Sequence, residues 1–289
     1  MPPREPDMPE REDLPKESAR TILFQFVIFP LGIVIIAVGV FLLFGKLASD
    51  DQSIPDYLNE IRSGSAHERW QAAYQLSKSL KRGEAKRYPN LEQQVAFLYV
   101  GAKHDDPRIR RYLSMVLGSL GDRRATPLLV DALNEKDIDT RIYALLALAD
   151  LRDPAAVPPV MNAAHDDEKD VRKTALYALG SIGDRRASDL LAGELTDETA
   201  DVRYNAAVAL ARMGDARAIG VLREMLDRSR LNNVRDMRED QKEEAMIVAI
   251  NSYTRLVGKS ASPDLVRLTH DPNIQVALAA KEALTHLPR

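Results

Sequence analysis

Three groups of side chains recur in this chain at spacings that could do chemistry. The first is a histidine–carboxylate cluster, seen as His104-Asp105-Asp106, His165-Asp166-Asp167 and His270-Asp271-Pro272. Imidazole and carboxylate together are ligands for a divalent metal. Each cluster, however, falls at a different repeat junction, ~10 Å or more from the next at packed-helix spacing. The expected role is helix capping by the aspartates, with solvent-facing histidines and no metal. The second group is Arg110, Arg141, Arg172 and Arg203, spaced by 31 residues, with Asp139, Asp170 and Asp201 two positions before the last three. A row of guanidinium groups could grip an acidic partner. Paired with those aspartates across stacked units, it would instead tie the array together, and this structural role is the expected one. The third group is a basic stretch, Lys78, Lys81, Arg82, Lys86 and Arg87, offset by Glu84. Lys81, Arg82, Lys86 and Arg87 are candidates for contact with anionic lipid headgroups, although a solvated loop is the plainer reading.

Other chemistry is excluded. The chain has no cysteine, so disulfides, thiolate metal sites and cysteine nucleophiles are ruled out. No nucleophile elbow, P-loop, dinucleotide-binding glycine turn or H-E-x-x-H occurs, so no catalytic residue and no cofactor are expected. The formal net charge is −3 over 289 residues, of which the first 20 residues supply −2. A nucleic-acid binder carries a basic excess, so no nucleic-acid partner is expected.

The elements that position these groups repeat. Four segments align without gaps, beginning at Ile109, Thr140, Val171 and Val202. Counting from each arginine, small or apolar residues fall three, six and seven positions on, for example Ala175, Ala178 and Leu179. That spacing makes one apolar stripe on a helix. Gly121-Asp122, Gly183-Asp184 and Gly214-Asp215 follow. The glycine ends the first helix in a left-handed conformation, and the aspartate caps a second helix. Arg152-Asp153-Pro154 keeps the cap and lacks the glycine. Each unit is a helical hairpin that hides its faces only by stacking on its neighbours. Weaker units extend the array. Arg69 opens one helix, with a partner near Leu91–Val100 after an insert of about ten residues. Another hairpin is centred on Ala245–Val257, and Ala280, Ala283 and Leu284 fit a last first helix. About seven hairpins are expected.

The pattern V-R-x-x-A-x-x-A-L-x-x-L-G-D-x-R-A, clearest in Val171–Ala187, resembles HEAT repeats of the short phycobilisome-lyase type. The resemblance implies an all-α solenoid over residues 57–289. It fits scaffolds, adaptors and a few enzymes alike.

Ahead of the repeats, residues 22–44 form an apolar run of 23 without charge, Gln25 being its one strongly polar member. As a helix it would span roughly 34 Å, enough for a bilayer core. It is too long for the apolar region of a signal peptide. The expected organisation is a disordered tail over 1–20, a transmembrane helix over 21–45, a linker over 46–56 and the solenoid beyond. Four basic residues precede the run, and Lys46 stands alone after it. The positive-inside rule then favours a cytoplasmic tail and repeats outside the cytoplasm.

The expected function is a membrane-anchored scaffold or assembly factor for protein partners. Asp131, Asn162, Glu194 and Arg223 on second helices are candidate contacts. So are Arg228, Arg235 and Arg238, in a charged stretch where the register breaks and a long functional loop is expected. The resemblance also implies an alternative, a lyase-like or chaperone-like protein handling a tetrapyrrole or its acceptor protein. A third reading, a HEAT-like DNA glycosylase, conflicts with the charge balance.

Overall fold

The computed structural model describes residues 28–48, 52–80, 87–235 and 237–287. Among them all regular structure is helical. The chain divides into two compact units, Met1–Gln52 and Ser53–Arg289.

In the first unit the described structure centres on helix α1 (Phe29–Ala48). Ile33, Ile35, Ile36, Val38 and Phe41 are exposed on it. Among the described residues no helix is long and apolar enough to cross a membrane. Side chains of α1 are described as far as Phe41. The expected span over 22–44 is therefore not established by the structure, and its residues 22–27, like the tail over 1–20, lie outside the described residues.

The second unit is a stack of helical hairpins. It opens with α2 (Ile54–Ser63), where Ser53 and Asp56 form a reciprocal cap and Pro55 occupies the first turn. The expected linker over 46–56 is thus helical at both ends. Six hairpins follow: α3 (Ala66–Ser79) with α4 (Leu91–Gly101), α5 (Pro107–Leu120) with α6 (Thr126–Ala132), and α7 (Ile138–Leu151) with α8 (Val157–Ala163). Next come α9 (Lys169–Ile182) with α10 (Ser188–Gly193), α11 (Ala200–Arg212) with α12 (Ile219–Met225), and α14 (Glu239–Val257) with α15 (Ser262–Leu268). The short α13 (Arg228–Asn232) is inserted before α14, and α16 (Ile274–Thr285) ends the stack alone. Among the described residues the stack holds six hairpins, against about seven expected, with the single helices α2 and α16 at either end. Unpaired terminal helices close the array because each needs to bury only one face.

The hairpin geometry follows from a few residues. Gly121, Gly183 and Gly214 adopt φ of 74°, 75° and 76°, and Arg152 takes the same left-handed place at 48°. The following aspartate accepts from the backbone N–H two residues on, at 2.9 Å for Asp122, 3.1 Å for Asp153, 2.9 Å for Asp184 and 3.0 Å for Asp215. The capped segment is a single 3-10 turn that leads into the second helix. First helices pack at very short range. A Cβ added to Gly180 would lie 2.6 Å from Ala209 Cα, and one added to Gly118 would lie 2.9 Å from Ala147 Cα. The core is the continuous apolar layer between first and second helices, including Leu113, Leu145, Leu148, Leu176, Leu179 and Leu210.

Candidate interaction surface

The recurring arginines and the His-Asp clusters turn out to be parts of one device. Arg141 donates to the carbonyl oxygens of Glu135 (2.9 Å) and Lys136 (3.4 Å) in the loop before its helix. Its other terminal nitrogen reaches Asp166 after the second helix, at 3.0 Å. Arg172 binds the carbonyls of Asp166 and Asp167 (2.8 and 2.9 Å), and Arg203 those of Asp197 and Glu198 (2.8 and 3.2 Å) plus the Glu224 carboxylate (3.0 Å). Arg69 pairs with Asp105 at 2.7 Å. Arg110 is buried, pairs with Glu135 and stacks 4.4 Å from the centre of the Tyr99 ring. These guanidiniums staple consecutive junctions, satisfying carbonyls that helix ends leave open. The partners differ from the sequence expectation. Asp139 pairs instead with Arg111, Asp170 with Lys173 and Asp201 with Lys169. The reason is directional: an acid two residues before an arginine lies on another face of the helix.

The aspartates of the clusters serve this stapling. Asp105 holds Arg69, Asp166 holds Arg141, and Asp271 holds Arg228 with two bonds of 3.0 and 2.5 Å. Asp106 accepts from the Arg108 N–H and caps α5. Among the described residues no group of three or more metal-ligating side chains comes together.

Other expected site residues are scattered. Asp131 is exposed and 3.5 Å from Lys103, and Asn162 is exposed. Glu194 is half-buried, and its burial, followed by the charge of Asp197, raises its pKa. Arg223 donates to the Tyr253 hydroxyl (2.9 Å), which itself lies 3.1 Å from Asp264. These four do not form a cluster with distinctive chemistry. The charged stretch is not the long loop expected, because it contains α13 and the first turn of α14. Arg228 is an internal tie to Asp271, Arg238 pairs locally with Asp240 at 2.9 Å, and Arg235 is exposed. Of the expected lipid contacts Arg87 is exposed, and Lys81, Arg82 and Lys86 lie outside the described residues.

The surface with a repeating character lies on the first helices, at a position the sequence pattern passed over. Five residues after each arginine stand Tyr74, Met115, Leu146, Tyr177 and Val208. In α14 the buried Met246, Ala249 and Ile250 set the same register and place Val248 there. Met115, Leu146 and Tyr177 are 39%, 38% and 39% exposed, and the other three are half-buried. An exposed helix position would ordinarily be polar, and scattered exceptions are common, but six in register form a patch. Beside this row the rings of Tyr74 and Tyr112 lie 5.1 Å apart, and those of Tyr112 and Tyr143 6.1 Å apart. The Arg212 guanidinium sits 5.1 Å from the Tyr177 ring centre.

At its far end the row runs into an open cleft of about 430 Å³, lined in part by Tyr177, Tyr204, Val208, Met225, Met237 and Val248. Its walls come from α9, α11, α12 and α14. The Tyr204 phenol there is pushed up to about 12 by burial and by the neighbouring Glu224 carboxylate. At α16 the equivalent position is Glu282, and the apolar row ends.

The sequence matches the profile of the HEAT-repeat family over residues 95–174, 126–202 and 157–240. Among solved structures it resembles the complex of CpcE and CpcF of phycocyanin lyase from Nostoc. The TM-score is 0.58 at 18% identity, over 82% of this chain and 88% of that one. It also resembles YibA from Escherichia coli, with a TM-score of 0.48 at 17% identity over 80% and 82% of the two chains. No curated protein matches the sequence significantly.

Proposed function

This chain belongs to the HEAT-repeat family, and from that premise we propose that it is a protein-interaction scaffold whose docking surface is the apolar row on the first helices. The observation that carries the reading is a helix position at which six first helices present an apolar side chain, exposed at Met115, Leu146 and Tyr177 and half-buried at Tyr74, Val208 and Val248. Apolar area left exposed in register, at Met115, Leu146 and Tyr177, weakens solubility, and its placement fits contact with a partner. The arginine staples are spent inside the array, and the second-helix candidates Asp131, Asn162, Glu194 and Arg223 lack a comparable repeat.

The finer reading places the scaffold at a membrane through residues 22–44. It is supported by a 23-residue run without charge and by the exposed apolar side chains of α1. The basic residues before the run favour repeats on the side away from the cytoplasm. Alkaline carbonate extraction of the full chain tests the tether: retention in the pellet supports it, and release contradicts it.

The docking reading is tested by affinity capture of the full chain from detergent-solubilised membranes. Leu146→Glu with Tyr177→Glu should abolish recovery of specific partners, and Asp131→Ala with Asn162→Ala should not. The opposite pattern would move the surface to the second helices. A lyase-like activity is the second reading, prompted by the fold likeness to CpcE and CpcF. Covalent attachment of a tetrapyrrole to an acceptor on co-expression would establish it, and attachment unchanged by omitting this chain would dismiss it.

A further inference from the structure

We propose that α13 is a strap that fastens the last hairpin to the stack, its Arg228 standing in for a guanidinium that α14 lacks, and that α14, α15 and α16 open as one body when it lets go. The strap stands independently of the docking reading above. Only its consequence for the apolar row rests on that reading.

The stand-in shows in the repeat register. His104-Asp105, His165-Asp166 and His270-Asp271 hold equivalent places after the second helices α4, α8 and α15. Asp105 and Asp166 are each bound by the arginine near the start of the first helix in the same hairpin, Arg69 and Arg141. In α14 the residue five before Val248, where that arginine would stand, is Glu243. A carboxylate there can neither bind Asp271 nor donate to the carbonyls of the loop before its helix. Arg228 binds Asp271 instead, entering from α13 with bonds of 3.0 and 2.5 Å. The Glu239 and Glu243 carboxylates also lie near its guanidinium. The Asp271 side chain is only 5% exposed. Without Arg228 its carboxylate would keep the Asn273 backbone N–H at 2.9 Å and lose its counter-charge.

The seam between the last hairpin and the stack depends on such a fastening. At the position before the arginine, α5, α7, α9 and α11 bury Ile109, Thr140, Val171 and Val202, none of them charged. At the equivalent place α14 buries Lys242, whose partner Glu239, at 2.8 Å, is itself 69% exposed. A buried ammonium with one solvated partner holds a junction less well than a buried valine. The open cleft of about 430 Å³ runs along the same seam, with Tyr177, Tyr204 and Val208 on one side and Gln241, Ala245 and Val248 on the other. Repeat arrays lose structure unit by unit, and a unit with a poor interface and one strong tie opens before its neighbours. Val248 moves with α14. The apolar row therefore reaches Val248 while the strap is fastened and ends at Val208 when it is not.

Hydrogen–deuterium exchange of the full-length chain, read by mass spectrometry, tests the strap. Arg228→Gln should raise exchange across α14, α15 and α16 by about a hundredfold or more, as expected when one partner of a buried ion pair is removed, and leave α5 to α9 unchanged. Asp227 caps α13 by accepting from the Ser229 N–H at 3.0 Å. Asp227→Ala loosens α13 with Arg228 still in place and should raise exchange in the same region by a smaller factor, about fivefold. Adding Glu243→Arg to Arg228→Gln returns a guanidinium to the register position that reaches the equivalent aspartate from α3 and α7. It should restore most of the lost protection, whereas adding Glu243→Gln should not. Exchange raised equally along the whole stack, unchanged exchange in α14 to α16, or no more rescue by Glu243→Arg than by Glu243→Gln would each overturn the proposal. If Arg228→Gln yields no folded protein, Asp227→Ala decides: a rise confined to α13 through α16 supports the strap, and a rise spread along the stack or no rise overturns it. The readout needs no partner, so failure of the docking reading would leave this result standing.

Discussion

Gly180→Ala is the sharpest test of how the first helices pack. Alanine favours a helix interior over glycine by about 1 kcal/mol, so on propensity alone the change would stabilise. The structure reverses the sign. The new Cβ would stand 2.6 Å from both Cα and Cβ of Ala209. Carbon atoms prefer about 3.5–4.0 Å, so α9 and α11 would have to part by about 1 Å. Ala209 Cα is backbone and cannot swing aside. Overpacking of this kind costs about 1–3 kcal/mol, and with a backbone neighbour the upper part of that range applies. The net expectation is a loss of about 1–2 kcal/mol, or roughly 2–8 °C in unfolding temperature for a unit of this size. Gly193→Ala is the control, since a Cβ there meets nothing within 4 Å. It should be neutral or stabilising by up to about 1 kcal/mol. Gly118→Ala should fall between, because its nearest backbone atom is at 2.9 Å. Thermal and urea unfolding of the three variants provide the comparison. A Gly180→Ala protein as stable as Gly193→Ala would refute the close approach of α9 and α11.

Further expectations concern the turns, the staples, the acid limit and the membrane. Arg152 occupies the left-handed position that glycine holds in three other units, so Arg152→Gly should raise the free energy of unfolding by about 0.5–1 kcal/mol and Gly183→Ala should lower it by about 1 kcal/mol. Arg141→Met removes two carbonyl partners and the Asp166 ion pair and should cost about 2–4 kcal/mol in urea unfolding, with Arg141→Lys recovering part because an ammonium lacks the planar fork. Burial alone would raise the Asp137 carboxyl, but hydrogen bonds from Arg111 and Thr140 outweigh it and hold the group at about 2. A depressed carboxylate stabilises the fold above its unfolded pKa near 3.8 and loses that contribution as pH falls toward 2. The unfolding midpoint should therefore drop between about pH 4 and pH 2, with Asp137→Asn shallower there and less stable at neutral pH. The chain has no cysteine, so a single Ser79→Cys variant in intact cells tests the proposed orientation: labelling by an impermeant maleimide is expected if the repeats face outward, and protection would contradict it.

Much of the array is legible in the sequence because the hairpin is built from local rules. The 31-residue arginine interval, the Gly-Asp turn and the alanine stripe each have a short-range cause, and they place the first and second helices of the middle units. What the sequence hides is set by stacking. Asp105 meets Arg69 across 36 residues and Asp271 meets Arg228 across 43, so the clusters read as helix caps, and their arginine partners show only when the junctions are brought together. Arg228 reads as part of a loop because α13 has only five residues, too few for a periodic signal. The apolar row escaped for a different reason. Leu146 and Tyr177 sit in helices already rich in buried apolar residues, and the stripe at three, six and seven positions accounts for burial without them. Aligning the units and asking which apolar position the stripe leaves unexplained would have found the row from the sequence alone.

The central claim, that the first helices carry the docking surface, is tested most directly by placing the photoreactive residue benzoylphenylalanine at position 146 or at position 162 of the full chain in intact cells. Crosslinks to a protein partner from 146 and none from 162 are the predicted outcome. Crosslinks from 162 alone would contradict it.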